Sequence, residues 1–171
     1  MGVAKDLHLH SFRPDRRMLL CGALAVGVAA AAAHASASGP APSVLFICQF
    51  GSVKSAIARE LFRDRAMARG VPVRLISRGI TPERHASARL LKQLQIDHID
   101  PDRQPLTRLD GADLGSADIV VLFDRLPPEL ARPDARDWTE MPSMNDRYTA
   151  ARAFLDPRLD RLLDEIARRP C

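Results

Sequence analysis

Hydrophobic positions along this chain change their spacing several times, and each change marks a predicted element. Ser43-Val44-Leu45-Phe46-Ile47 is a continuous apolar run of strand length. Such a run suits a strand covered on both faces, as in a parallel sheet. From Ser55 to Arg69 the spacing becomes helical. Ala58, Leu61, Phe62 and Ala66 share one face, and Arg59, Arg63 and Asp64 are expected outside. Gly70 stands where a helix C-cap glycine belongs. Val71 to Ser77 predicts a second strand. Thr81-Pro82-Glu83 predicts the opening of a second helix, with Thr81 as N-cap and Pro82 at its first position. That helix is expected to reach Gln95 with Leu90, Leu91 and Leu94 inward.

Residues 97–115 read as loop-rich and hold Pro101 and Pro105. Ala117 to Phe123 predicts a third, central strand. Pro127-Pro128-Glu129-Leu130 predicts a short helix, and Arg136 to Thr139 a last short strand around Trp138. From Arg147 to Arg169 an amphipathic helix is expected to bury Leu155, Leu159, Leu162, Leu163 and Ile166, with a break or kink near Pro157. Strands separated by helices predict a parallel α/β sheet with right-handed crossovers.

The first 37 residues follow a different pattern. A polar stretch carrying Lys5, Arg13, Arg16 and Arg17 precedes an apolar run from Met18 to Ala33. Ala33-His34-Ala35 and Ala35-Ser36-Ala37 both fit a small-x-small cleavage site. The run is shorter than the roughly 20 residues a spanning helix needs. A cleaved export signal is therefore expected over 1–37, with no stable membrane anchor afterwards. Asp15-Arg16-Arg17-Met18-Leu19-Leu20 resembles a bacterial twin-arginine signal, which implies export in the folded state to the periplasm; an ordinary secretory signal is the other reading. Residues 38–42 read as a stiff linker, and 43–171 as the folded domain.

Composition narrows the classes. The chain has 171 residues, 46% hydrophobic and 27% charged, which is enough to bury a core and excludes a disordered protein. Three cysteines are too few for a disulfide scaffold. The formal net charge of +4 is spread among interleaved acids, so no nucleic-acid partner is expected. His85 and His98 show no metal-ligand spacing, and His85 reads as a surface residue of the second helix. There is no Walker loop and no dinucleotide fingerprint, so neither metal nor cofactor is expected.

Candidate chemistry is concentrated in Val44–Phe62. Cys48 sits at the end of the first strand, and Ser55 begins the first helix seven residues later. Ligands of open α/β sheets bind at the carboxyl ends of strands. A tight loop feeding a helix N-terminus aims several amides at one point and favours an anion there. The same field favours a thiolate. Gly51 is suited to a positive φ, Lys54 supplies a point charge, and Ser55 supplies a hydroxyl for the sulfur. A cysteine at a strand end is otherwise a small core residue, and both readings stand on the residues alone.

Cys48, then Gln49-Phe50-Gly51-Ser52-Val53, then Lys54-Ser55 resembles the phosphate-binding loop of low-molecular-weight protein tyrosine phosphatases and the related thioredoxin-coupled arsenate reductases. The likeness continues through Ser55–Glu60, Ser77-Arg78-Gly79-Ile80 and Ala117-Asp118-Ile119-Val120-Val121. The resemblance implies a three-layer α/β/α fold with a four-stranded parallel sheet. It implies that Cys48 attacks phosphate to form a phosphocysteine, and that residues 49–54 cradle the phosphate. It also implies an arginine clamp and an aspartic acid that protonates the leaving group. This sequence has Lys54 where the family has arginine, and lysine lacks the planar two-pronged contact. The family's Asp-Pro falls near Ser143-Met144, which leaves Asp146 and Glu140 as the nearest acids. Gly51 replaces the loop's usual asparagine, and Phe50 a smaller residue that would leave the anion more room. Tyr148 reads as a core or helix-packing residue in preference to a rim for substrate.

The implied partner is phosphate or another oxyanion, on a phosphorylated protein or a small phosphomonoester. A phosphomonoester hydrolase and a catalytically silent oxyanion-binding module of the same fold are both carried forward. The arsenate-reductase reading ranks lowest, because residues 117–135 hold no relay cysteine. Cys171 reads as an unpaired terminal residue.

Overall fold

The computed structural model describes residues 40–169. The segment expected to be an export signal, the first two residues of the expected linker and Cys171 lie outside them. Four parallel strands, β1 (Ser43–Cys48), β2 (Arg74–Gly79), β3 (Ile119–Leu122) and β4 (Arg136–Asp137), lie in the order β2-β1-β3-β4. The helices are α1 (Lys54–Ala68), α2 (Ala88–Ile96), α3 (Gly111–Ser116) and α4 (Tyr148–Ala167).

Every residue of β1 is buried, as expected of a central strand. Its alternate side chains feed two separate cores. Val44, Phe46 and Cys48 join α1, α2 and α4 through Phe62, Leu90, Leu94, Leu155, Leu159 and Leu163. Leu45 and Ile47 face the other way, onto Leu109, Leu114, Ala117 and Val120 around α3. The sheet is therefore a middle layer with apolar cover on both sides. Phe46 meets Phe62 edge-on at 6.0 Å and stacks on Phe123 at 6.3 Å.

Several element boundaries differ from expectation, each for a local reason. β2 starts at Arg74 rather than Val71, because the Val71 amide caps α1 on Ala66 O at 3.0 Å and Pro72 has no N–H to give. β3 starts at Ile119 because Asp118 and Ser43 bond through side chains instead of a ladder: Ser43 N donates to Asp118 Oδ2 at 2.7 Å and Asp118 N to Ser43 Oγ at 3.0 Å. α2 starts at Ala88, not after Thr81. Ser87 is its N-cap, accepting from Leu90 N at 3.2 Å. Leu91, expected inward, is 49% exposed. α3 lies inside the segment read as loop and is held by a reciprocal capping box between Asp110 and Asp113. α4 runs through Pro157 as one helix and buries the five expected apolar residues.

Arg59, expected on the outer face of α1, is 1% exposed. Its Nε donates to Glu60 Oε1 at 2.7 Å, Nη1 to Ser77 Oγ at 2.6 Å and Nη2 to Pro101 O at 3.0 Å. A fully paired guanidinium can be buried. Here it ties α1 to β2 and to the turn at Pro101–Arg103.

Candidate functional site

The carboxyl end of β1 delivers Cys48 to the start of α1, and residues 49–53 turn between them. Gly51 has φ +75°, and a Cβ there would lie 2.8 Å from Gly79 N. A Cβ on Gly79 would in turn lie 2.8 Å from the Phe50 carbonyl. The loop rests backbone to backbone against the end of β2, which only a pair of glycines permits.

Residues 80–85 then fasten the outer edge of the loop. Thr81 N donates to Gln49 O at 2.8 Å, Glu83 N to Phe50 O at 3.1 Å and Ile80 N to Cys48 O at 3.1 Å. Ser52 Oγ donates to Glu83 O at 2.5 Å and accepts from His85 N at 3.0 Å. These bonds explain why no helix begins at Thr81: the backbone there is engaged with the loop.

With its carbonyls turned outward, the loop presents amides inward. Gly51 N donates to Cys48 Sγ at 3.1 Å, and Ser55 Oγ lies 3.1 Å from the same sulfur. Among the described residues, the amides of Phe50, Val53 and Lys54 donate to no protein acceptor, while Gly51 bridges to Glu83 and turns the Ser52 amide toward that segment. Cys48 is 3% exposed and forms the floor of a cavity of about 260 Å³, lined also by Gln49, Phe50, Val53, Lys54, His85, Asp124, Ser143 and Asn145. A buried sulfur beneath unpaired amides is suited to a tetrahedral oxyanion.

The remaining predicted residues fall as follows. Lys54 Nζ turns to the end of β3, donating to Asp124 Oδ1 at 3.0 Å and Phe123 O at 3.2 Å. The other Asp124 oxygen accepts from Gln49 N at 2.9 Å. Ser52 points its hydroxyl away from the sulfur, toward the 83–85 segment. Phe50 lines the cavity and packs on His85, with ring centres 4.2 Å apart. Ser143, near which the sequence resemblance puts the family's Asp-Pro, lines the cavity. Asp146 does not line it: the residue is exposed, accepts from Ser143 Oγ at 2.7 Å and faces a neighbouring cavity. Glu140 is exposed and lines neither. Tyr148 packs against the α1/α2/α4 core, and its hydroxyl donates to Asp97 at 2.5 Å. Burial, and then this bond, push its phenol up to about 12.

Three site residues carry no functional mark in the sequence reading. Asp124 directly follows Phe123 at the end of β3, the position where α/β sheets place ligand groups, and that placement is the available signal. His85 belongs to the cavity rim and not to the second helix. Asn145 fixes that rim, donating to His85 O at 2.9 Å and accepting from Ser87 N at 2.8 Å; no local pattern marks it. Among the described residues, no group of three His, Cys, Asp or Glu gathers to hold a metal ion.

Comparison with known proteins agrees with this fold. The family model for low molecular weight phosphotyrosine protein phosphatase matches residues 43–167. YfkJ from Bacillus subtilis is similar in structure, with TM-score 0.62 and 18% identity over 77% of this chain and 98% of its own. A thioredoxin-dependent arsenate reductase from Corynebacterium glutamicum gives TM-score 0.57 and 23% identity over 76% of this chain and 64% of its own. Wzb from Vibrio vulnificus, solved with benzylphosphonate, gives TM-score 0.57 and 14% identity over 72% and 98%. At these identities the likeness is one of fold. No curated protein matches the sequence.

Proposed function

The chain belongs to the low molecular weight phosphotyrosine protein phosphatase family, and from that premise we propose that it is an exported phosphomonoester hydrolase acting through Cys48. The observation that carries this reading is the buried Cys48 sulfur, held by Gly51 N and Ser55 Oγ at 3.1 Å beneath the unpaired amides of residues 50, 53 and 54. These contacts fix the sulfur at the base of the loop, and the amides above it are placed to bind the non-bridging phosphate oxygens.

The sulfur attacks phosphorus in line with the leaving oxygen. The S–P bond forms as the P–O bond breaks, and the electron pair leaves with the oxygen. Water then attacks the phosphocysteine, releasing phosphate and returning the sulfur. Ser55 Oγ is placed to stabilise the departing thiolate. Lys54 adds charge as a point donor where the family's arginine would grip two oxygens. Ser143 offers no acid in the aspartate's place, and both oxygens of Asp124 already accept hydrogen bonds. Leaving groups that need no protonation, such as activated aryl oxides, are therefore the favoured class. Export rests on residues 1–37, whose charged, apolar and small-residue regions follow in the order of a signal peptide.

The decisive assay is turnover of an activated aryl phosphate by the protein and by Cys48→Ser. Turnover lost in the variant supports the hydrolase; turnover surviving it refutes a role for the sulfur. Lys54→Arg should raise the rate, by up to about 10²-fold if it restores one transition-state clamp.

A second reading is favoured by the Lys54–Asp124 pair and by Ser143: a binding module that uses the same cradle without chemistry. Saturable phosphate binding, with no turnover by the native protein or by Lys54→Arg, would select it over the hydrolase.

A further inference from the structure

The cavity over Cys48 has a neighbour. A second cavity of about 320 Å³ is lined by Arg89, Gln93, Asn145, Asp146, Arg147 and Tyr148, among others. Met144 and Asn145 line both cavities, so a single stretch of backbone parts them. Among the described residues, Arg65, Arg78, Arg136 and Arg152 pair with carboxylates, while Arg74, Arg108, Arg125, Arg161 and Arg168 have no such partner but line neither cavity. Arg89 and Arg147 are exposed, and neither guanidinium has a carboxylate partner among the described residues. The one acid in the lining, Asp146, is bonded by Ser143, so cation outnumbers anion there. In the cavity over Cys48 the two signs balance, because Asp124 offsets Lys54.

We propose that the Arg89–Arg147 cavity is a subsite for a second anionic group on the substrate. The preferred substrate class is then an aryl phosphate bearing a carboxylate or another phosphoryl group beside the phosphorylated ring. This rests on the reading that the Cys48 cavity takes the phosphoryl group. The cradle amides grip any phosphoryl group alike, and the loop's cation is occupied by Asp124. Selection among phosphoryl compounds therefore falls to the unpaired guanidiniums next door, which recognise a carboxylate or phosphate in a two-pronged contact. The second anion has two sources, the acidic flank of a phosphorylated peptide or a compact small molecule.

The test is calorimetric titration of the protein, at low salt, with benzylphosphonate and para-carboxymethyl-benzylphosphonate. A peptide carrying phosphonomethyl-phenylalanine between glutamates, and its glutamine twin, form the second arm. The added anion should tighten binding roughly five- to tenfold, the scale of two partly exposed charge pairs. In the Arg89→Gln/Arg147→Gln double variant that ratio should fall to near one. A gain confined to the peptide arm or to the small-molecule arm identifies the source, and either supports the subsite. Binding of benzylphosphonate with no gain from the second anion, or a gain that survives the double variant, overturns the subsite alone. No binding of any probe overturns the phosphoryl reading of the Cys48 cavity together with it.

Discussion

Asp124→Asn isolates the electrostatic peculiarity of this site. In the native protein Asp124 occupies Lys54 and the Gln49 amide at once, at 3.0 and 2.9 Å. Asparagine keeps an oxygen for the Gln49 amide but removes the charge that holds Lys54. The pair is partly exposed, at 22% and 32%, so its loss should cost at most about 1 kcal/mol of stability. The freed ammonium gains an acceptor on an incoming anion. A charge-assisted hydrogen bond contributes about 1.5–3 kcal/mol. Inorganic phosphate should thus bind roughly 10- to 100-fold more tightly to Asp124→Asn than to the native protein. Titration calorimetry at neutral pH measures this, and Lys54→Gln/Asp124→Asn should forfeit most of the gain. Phosphate binding unchanged or weakened in Asp124→Asn would refute the reasoning, since it would mean that the carboxylate holds Lys54 in place for the ligand.

Three further outcomes follow from the fold. Gly79→Ala puts a methyl group 2.8 Å from the Phe50 carbonyl, so chemical denaturation should show a loss of about 1–3 kcal/mol, with phosphate binding weakened as the loop shifts. Arg59→Ala takes one of three arginine partners from Glu60 and strips Ser77 and Pro101 O, and should cost about 1–3 kcal/mol by the same measurement, while Arg63→Ala, which leaves Glu60 with Arg59 and Arg103, costs less. Asp118 is held below its ordinary value of 3.8, chiefly by the backbone and then the side-chain hydrogen bond of Ser43. The stability it contributes is complete above that ordinary value and is lost as pH falls through the lower folded value. Asp118→Asn should therefore flatten the acid limb of a stability–pH curve below about pH 4.

The central strand, the first helix and the last helix are legible in the sequence because each buries a periodic apolar set with no competing local bond. β1 is a single apolar run, and α4 repeats leucine at helical spacing. Expectation and structure part where side chains or a distant segment claim the backbone. Thr81-Pro82-Glu83 has the chemistry of a helix start, yet its amides serve Gln49 and Phe50, residues 32 and 33 positions back in the chain. Arg59 looks solvated by type, and only the convergence of Ser77 and Pro101 makes its burial tolerable. Cys48, Gly51 and Ser55 are readable because strand, tight loop and helix follow one another without a gap. Asp124, His85 and Asn145 reach the same cavity from three separate segments, and no local spacing links them.

The loop around Cys48 owes its curvature to bonds from residues 80–85, which arrive only once β2 has paired beside β1. A chain whose sheet is incomplete has no cradle at all. On the proposed function, oxyanions bind only the finished topology, and phosphate should raise the melting temperature as its concentration rises. Phosphate in the surrounding medium would then stabilise the folded state as well as being a candidate product.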